Sequence, residues 1–177
     1  MAWIKCNTQE YIPPIPVGQT FTTGVYTYAY CDETTGEIHH VGNGVPADIP
    51  LTTMINVKKV ASMTVHVKWW ASAYASGSYG TTWESSCDNH CTYTFKVGNI
   101  TDPSKYHNEK HICDSENNGW VRKSDEFDFY YTAADFRGYE ECPFFLNVNT
   151  YFYQNGDQID PQAEAYISFT ITNVTYK

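Results

Sequence analysis

The chain has 177 residues, a formal net charge of −9 at pH 7, and two leucines against fifteen tyrosines and twenty threonines. Leucine favours helices, whereas Tyr, Thr, Val, Ile, Phe and Trp fit a pleated, half-buried surface, so the composition excludes a helical core. The acidic balance, with Arg122 and Arg137 as the sole arginines, leaves little to neutralise a phosphate backbone and excludes a nucleic-acid partner.

Residues 1–18 read as an extended arm, because Tyr11-Ile-Pro-Pro-Ile-Pro16 removes backbone donors and favours polyproline geometry over a central strand. Residues 19–177 then form one domain, a size that suits a single buried core. Strands are expected at 20–30, 38–41, 53–60, 62–70, 92–97, 127–131, 144–153 and 165–176. In the fourth, Met63, Val65, Val67 and Trp69 alternate with Thr64, His66, Lys68 and Trp70, the period of a strand with one buried face. Trp69 and Trp70 are neighbours on that strand, so at most one faces the core. Ala71 to Gly80, small residues interleaved with Tyr, reads as a loop, and Asn155-Gly156 as the hairpin turn between the last two strands. About eight short strands punctuated by Gly, Pro and Asn predict an all-β fold, an antiparallel two-sheet sandwich of jelly-roll or immunoglobulin type. No apolar run approaches the eighteen or so residues of a spanning helix, so no membrane insertion is expected. Met1 to Lys5 lacks a charged segment leading into an apolar one, so no signal peptide is expected either.

Cys87 and Cys91, followed after fifteen residues by His107 and His111, have the spacing of a tetrahedral zinc site, and resemble a Cys2His2 finger in that spacing only. Asp102-Pro103 suggests a cap and first turn for a short helix carrying both histidines on one face. Six cysteines are also an even set that disulfides could pair without any metal. Downstream, Asp114, Glu116, Asn118 and Asp125 around Gly119 follow the outline of a calcium loop, although Asp125 stands where a bidentate Glu is usual. The competing reading is a tight hairpin turn at Asn117-Asn118-Gly119 before a strand.

Exposed Trp70, Trp83 and Trp120, with Tyr74 and Tyr79, could stack on sugar rings. No nucleophile elbow, phosphate loop or His-Glu-x-x-His occurs, and Glu140-Glu141 would point to opposite faces. A small jelly-roll glycosidase is therefore the weakest of three readings. The expectation is a non-catalytic structural or binding protein. The first form is a virion component (a phage decoration, spike or tail-associated protein) assembling as a homo-oligomer on the particle surface. The alternative is a carbohydrate-binding module or adhesin with a glycan ligand.

Overall fold

A computed structural model of the chain describes residues 11–31, 38–42, 47–76, 85–116, 118–156 and 162–177. Within them lie nine strands: β1 (Thr20–Cys31), β2 (Ile38–Gly42), β3 (Ala47–Asn56), β4 (Val60–Ser76), β5 (Ser85–Val97), β6 (His107–Glu116), β7 (Asn118–Thr132), β8 (Glu141–Gly156) and β9 (Gln162–Tyr176). They form two sheets, one of order β2-β1-β9-β4-β7 and one of order β3-β8-β5-β6. All the strand pairs are antiparallel. Every chain connection from β2 onward crosses to the other sheet except β5 to β6. With the short β2 set aside, this is the eight-strand order of a jelly roll, which resolves the choice left open by the sequence. Among the described residues no helix is long and apolar enough to cross a membrane.

The alternation expected in β4 holds and extends: Met63, Val65, Val67, Trp69, Ala71, Ala73 and Ala75 are all buried. Trp69 faces the core and Trp70 the opposite side, as two successive residues on a strand must. From β9 come Ala163, Ala165, Ile167, Phe169 and Ile171, and from the facing sheet Cys87, Cys91, Tyr93, Phe95, Val97, Phe144 and Leu146. The two ends of the core differ in composition, although Phe152, the register partner of Asn89, puts one large ring among the small side chains. At one end Phe95, Phe144 and Phe169 meet with ring centroids 5.5 to 6.4 Å apart. At the other, Ala71 and Ala73 of β4 pair with Ala165 and Ala163 of β9, facing Cys87, Asn89 and Cys91.

Asn89 joins the sheets at the small-residue end. Its amide nitrogen donates to the carbonyls of Ser72 (3.1 Å) and Glu164 (2.8 Å), and its amide oxygen accepts from the Cys91 thiol (2.6 Å). The arm's described end is docked rather than free: Ile15 packs against the core and Gly18 N–H donates to the Ile171 carbonyl at 2.9 Å. Residues 1–10 of the arm lie outside the described residues.

Four expectations change. Residues 71–76 are not loop but the end of β4, with Ala71, Ala73 and Ala75 buried; 77–80 lie outside the described residues. Asn155-Gly156 is not a hairpin turn, because β8 and β9 belong to different sheets; Gly156 and Asn155 pair instead with Ser85 and Ser86 of β5. Asp102 does cap Pro103, accepting from Ser104 N–H at 3.0 Å, but the result is a single 3-10 turn, Pro103–Lys105. Both histidines lie beyond it on β6, a strand the sequence reading missed.

Candidate functional site

The outer face of the five-stranded sheet carries a line of aromatic pairs set by strand register. Trp70 on β4 lies opposite Tyr166 on β9, with ring centroids 5.1 Å apart, and Tyr74 lies opposite Trp120 on β7 at 4.8 Å. The guanidinium of Arg122 sits 4.7 Å from the Trp120 ring, a cation–π contact that fixes the exposed indole. Beside them runs a groove of about 630 Å³ lined by His66, Lys68, Trp70, Arg122, Glu164 and Thr170. His66 is held between acidic groups, Nδ1 at 2.9 Å from Asp128 and Nε2 at 3.6 Å from Glu126. Aromatic faces bordered by paired charges can take a ring-shaped polar ligand, stacking on its C–H face while the rim bonds its hydroxyls.

Three of the five aromatic residues read from the sequence as a ligand surface, Trp70, Tyr74 and Trp120, therefore share one face. Tyr79 and Trp83 lie outside the described residues. Tyr166 was missed, and its signal was present: in Gln162 to Tyr166 the odd positions are alanines and the even ones are polar or aromatic, a period of two. Gly24 of β1 makes room for its ring, since a Cβ there would meet the Ala165 carbonyl at 2.3 Å and Tyr166 Cδ1 at 2.4 Å.

A second cluster sits where the edge strands β6 and β7 face each other across the mouth of the sandwich. His107, Glu109 and His111 occupy alternate positions of β6 and so share its inward side. One ligand atom from each lies within 4.8 Å of the other two. Phe127 stacks on His107 at 4.7 Å, and Trp69 stacks on His111 at 3.8 Å. Burial lowers the pKa of both imidazoles; the carboxylates of Glu109 and Asp125 oppose it.

Of the four-residue zinc set expected from spacing, Cys91 lies opposite His111 in the β5–β6 register and His107 shares their face, while Cys87 lies opposite Ser115, four positions further along; neither cysteine falls within the tight group that the two histidines make with Glu109. The Cys87 thiol donates to the Gln162 carbonyl at 3.3 Å, and the Cys91 thiol bonds Thr150 and Asn89. The histidines do share a face, but because 107 and 111 are an even number of positions apart on a strand, not because of helical spacing. Cys91, Cys113 and Cys142 are free buried thiols, so the described residues do not contain a fully disulfide-paired set; Cys6 and the Cys31 side chain lie outside what is described. Burial pushes the Cys91 thiol up to about 11 and Cys142 to about 12.

The calcium outline is likewise spread out. Asp114 points away from the core, 3.2 Å from His90 and accepting from Asn89 N–H at 3.0 Å, whereas Asp125 faces the histidine cluster from β7. Gly119 has φ +77° at the start of β7, a left-handed position that suits glycine, but β6 and β7 belong to different sheets, so the segment is not the hairpin of the competing reading; Asn117 and the side chains of Glu116 and Asn118 lie outside the described residues. As for a carboxylate pair, Glu140 and Glu141 are both exposed, and Glu140 reaches Lys58 at 3.4 Å.

No protein-family model matches the sequence, and no curated protein matches it. Among solved structures, the chain is similar to one described as the cryo-EM atomic structure of Broad Bean Stain Virus. The identity is 12%, over 100% of this chain and 97% of that one, with a TM-score of 0.29. That score is too low to equate the two folds.

Proposed function

We propose that the chain is a non-catalytic structural and recognition subunit of a virus particle, displayed at the virion surface and assembled with further copies of itself. The observation that carries this reading is the jelly-roll order, β1-β9-β4-β7 against β3-β8-β5-β6, an architecture that recurs in viral capsid and lectin domains. The arm gives such a subunit a means of reaching a neighbour: Tyr11, at its outermost described point, is 82% exposed, while Ile15 and Gly18 anchor its base. A contact repeated around a closed ring or shell gains avidity, so no single interface need be large. Phage decoration, spike and tail-associated roles are the specific forms this would take. Native mass spectrometry and negative-stain imaging of the purified chain test it. The expected result is a symmetric oligomer that falls to monomer when residues 1–18 are deleted; a monomer at every concentration with the arm intact would overturn it.

A second reading, glycan recognition, is favoured by the Trp70–Tyr166 pair bordering the outer groove. It is compatible with the first, since a surface subunit can bind a receptor. On a glycan array, Trp70→Ala should abolish binding while leaving oligomer mass unchanged. Equal binding by the variant, or no binding by the parent chain, would refute it.

A further inference from the structure

We propose that His107, Glu109 and His111 form a binding site for one divalent transition-metal ion of the zinc class at the mouth of the sandwich.

Nε2 of His107 and Nε2 of His111 are both buried and have no hydrogen-bond partner among the described residues. His107 is 6% exposed, so bulk water does not relieve it. A buried polar nitrogen left without a partner is costly, and native proteins rarely leave one. The two rings lie side by side, with centroids 5.7 Å apart, and the group beside them is a carboxylate: Glu109 Oε2 lies 3.9 Å from His111 Nε2, too long for a hydrogen bond. All three ligand atoms fall within 4.8 Å of one another. Ligands bound at about 2.0–2.2 Å around a tetrahedral ion stand roughly 3.3–3.6 Å apart, so a small contraction completes the set.

The donor chemistry selects the ion. Two imidazoles and one carboxylate suit zinc and its first-row neighbours, whereas calcium and magnesium take oxygen ligands throughout. The positions are also rigid: both rings are stacked between aromatic neighbours, Trp69 on His111 and Phe127 on His107. Three protein ligands leave a coordination position open. Asp125 of β7 faces the same gap, so an ion there would sit between the two free sheet edges.

The test uses the full chain stripped with chelator, then titrated with zinc salt alone and separately with cobalt(II) salt. Native mass spectrometry should show one ion per chain, and zinc should raise Tm by several degrees, since a ligand bound only to the folded state stabilises it. Glu109→Gln, at an exposed position, should match the parent Tm without metal yet weaken zinc binding by about tenfold or more. His111→Gln should do the same to binding, whatever its effect on stability. Cys91→Ser should leave binding unchanged, and the cobalt complex should lack a thiolate charge-transfer band. Absence of binding by the parent chain, binding that survives Glu109→Gln, or loss of binding in Cys91→Ser with a thiolate band would each overturn the assignment.

Discussion

Replacing Asn89 tests how the two sheets are held at the small-residue end. Asn89 is 1% exposed, and its side-chain amide spends both donors on carbonyls of the opposite sheet, Ser72 of β4 and Glu164 of β9, which are register partners. Asn89→Ala removes those two bonds and the one from Cys91. At a net worth of about 0.5–1.5 kcal/mol each, with a small cavity added, the loss is about 3 kcal/mol. For a domain of this length that corresponds to a fall in Tm of about 6–12 °C. Equilibrium denaturation in urea, with Tm from calorimetry, measures it, and the slope of the unfolding curve should not change. Asn89→Asp should be worse than alanine: it supplies no donor and sets a carboxylate against two carbonyl oxygens. A loss below about 1 kcal/mol for the alanine variant, or an aspartate variant as stable as alanine, would refute the idea that this amide joins the sheets.

Gly24→Ala should cost about 1–3 kcal/mol and weaken the near-ultraviolet dichroism of the Trp70–Tyr166 pair, because the added Cβ displaces the Tyr166 ring; an unchanged spectrum would count against it. Asp135 accepts from Lys105 Nζ at 2.7 Å on each oxygen and from Thr132 N–H at 2.7 Å. Burial raises its pKa, but these bonds outweigh burial and hold the carboxyl below its ordinary 3.8. A depressed folded-state pKa gives stability that is present above the unfolded value and lost as pH falls through the folded one. Asp135→Asn should therefore be less stable than the parent at neutral pH and converge with it below the ordinary carboxyl range, as followed by urea midpoints across pH. Cys91 and Cys142, buried with raised pKa values, should resist iodoacetamide at about pH 8 until urea unfolds the chain, as read by peptide mapping.

Periodicity carried most of what was legible in the sequence. The alternation from Met63 to Trp70 placed β4, assigned the two tryptophans to opposite faces and so brought Trp70 to the outer groove. Pairing between distant segments was not legible, because a two-residue turn signal such as Asn155-Gly156 describes local geometry and is silent about which sheet the next strand joins. β6 was lost for a different reason. Asp102-Pro103 is a true local start signal whose helix ends after one turn, since the residues that follow gain more from pairing with β5. The alternation in His107-Asn-Glu-Lys-His111 marks a strand face of its own, and read that way it would have put Glu109 beside the histidines and left Cys87, four positions further along, out of the set.

The two ends of the core are filled in different ways. At one, rings from both sheets meet; at the other, the alanines of β4 and β9 lie across from a face that still carries one large ring, Phe152, the register partner of Asn89 and fully buried. Small side chains on one sheet thus leave space for a large one on the other, and any larger residue at Ala73 or Ala163 would press on an interior that is already packed.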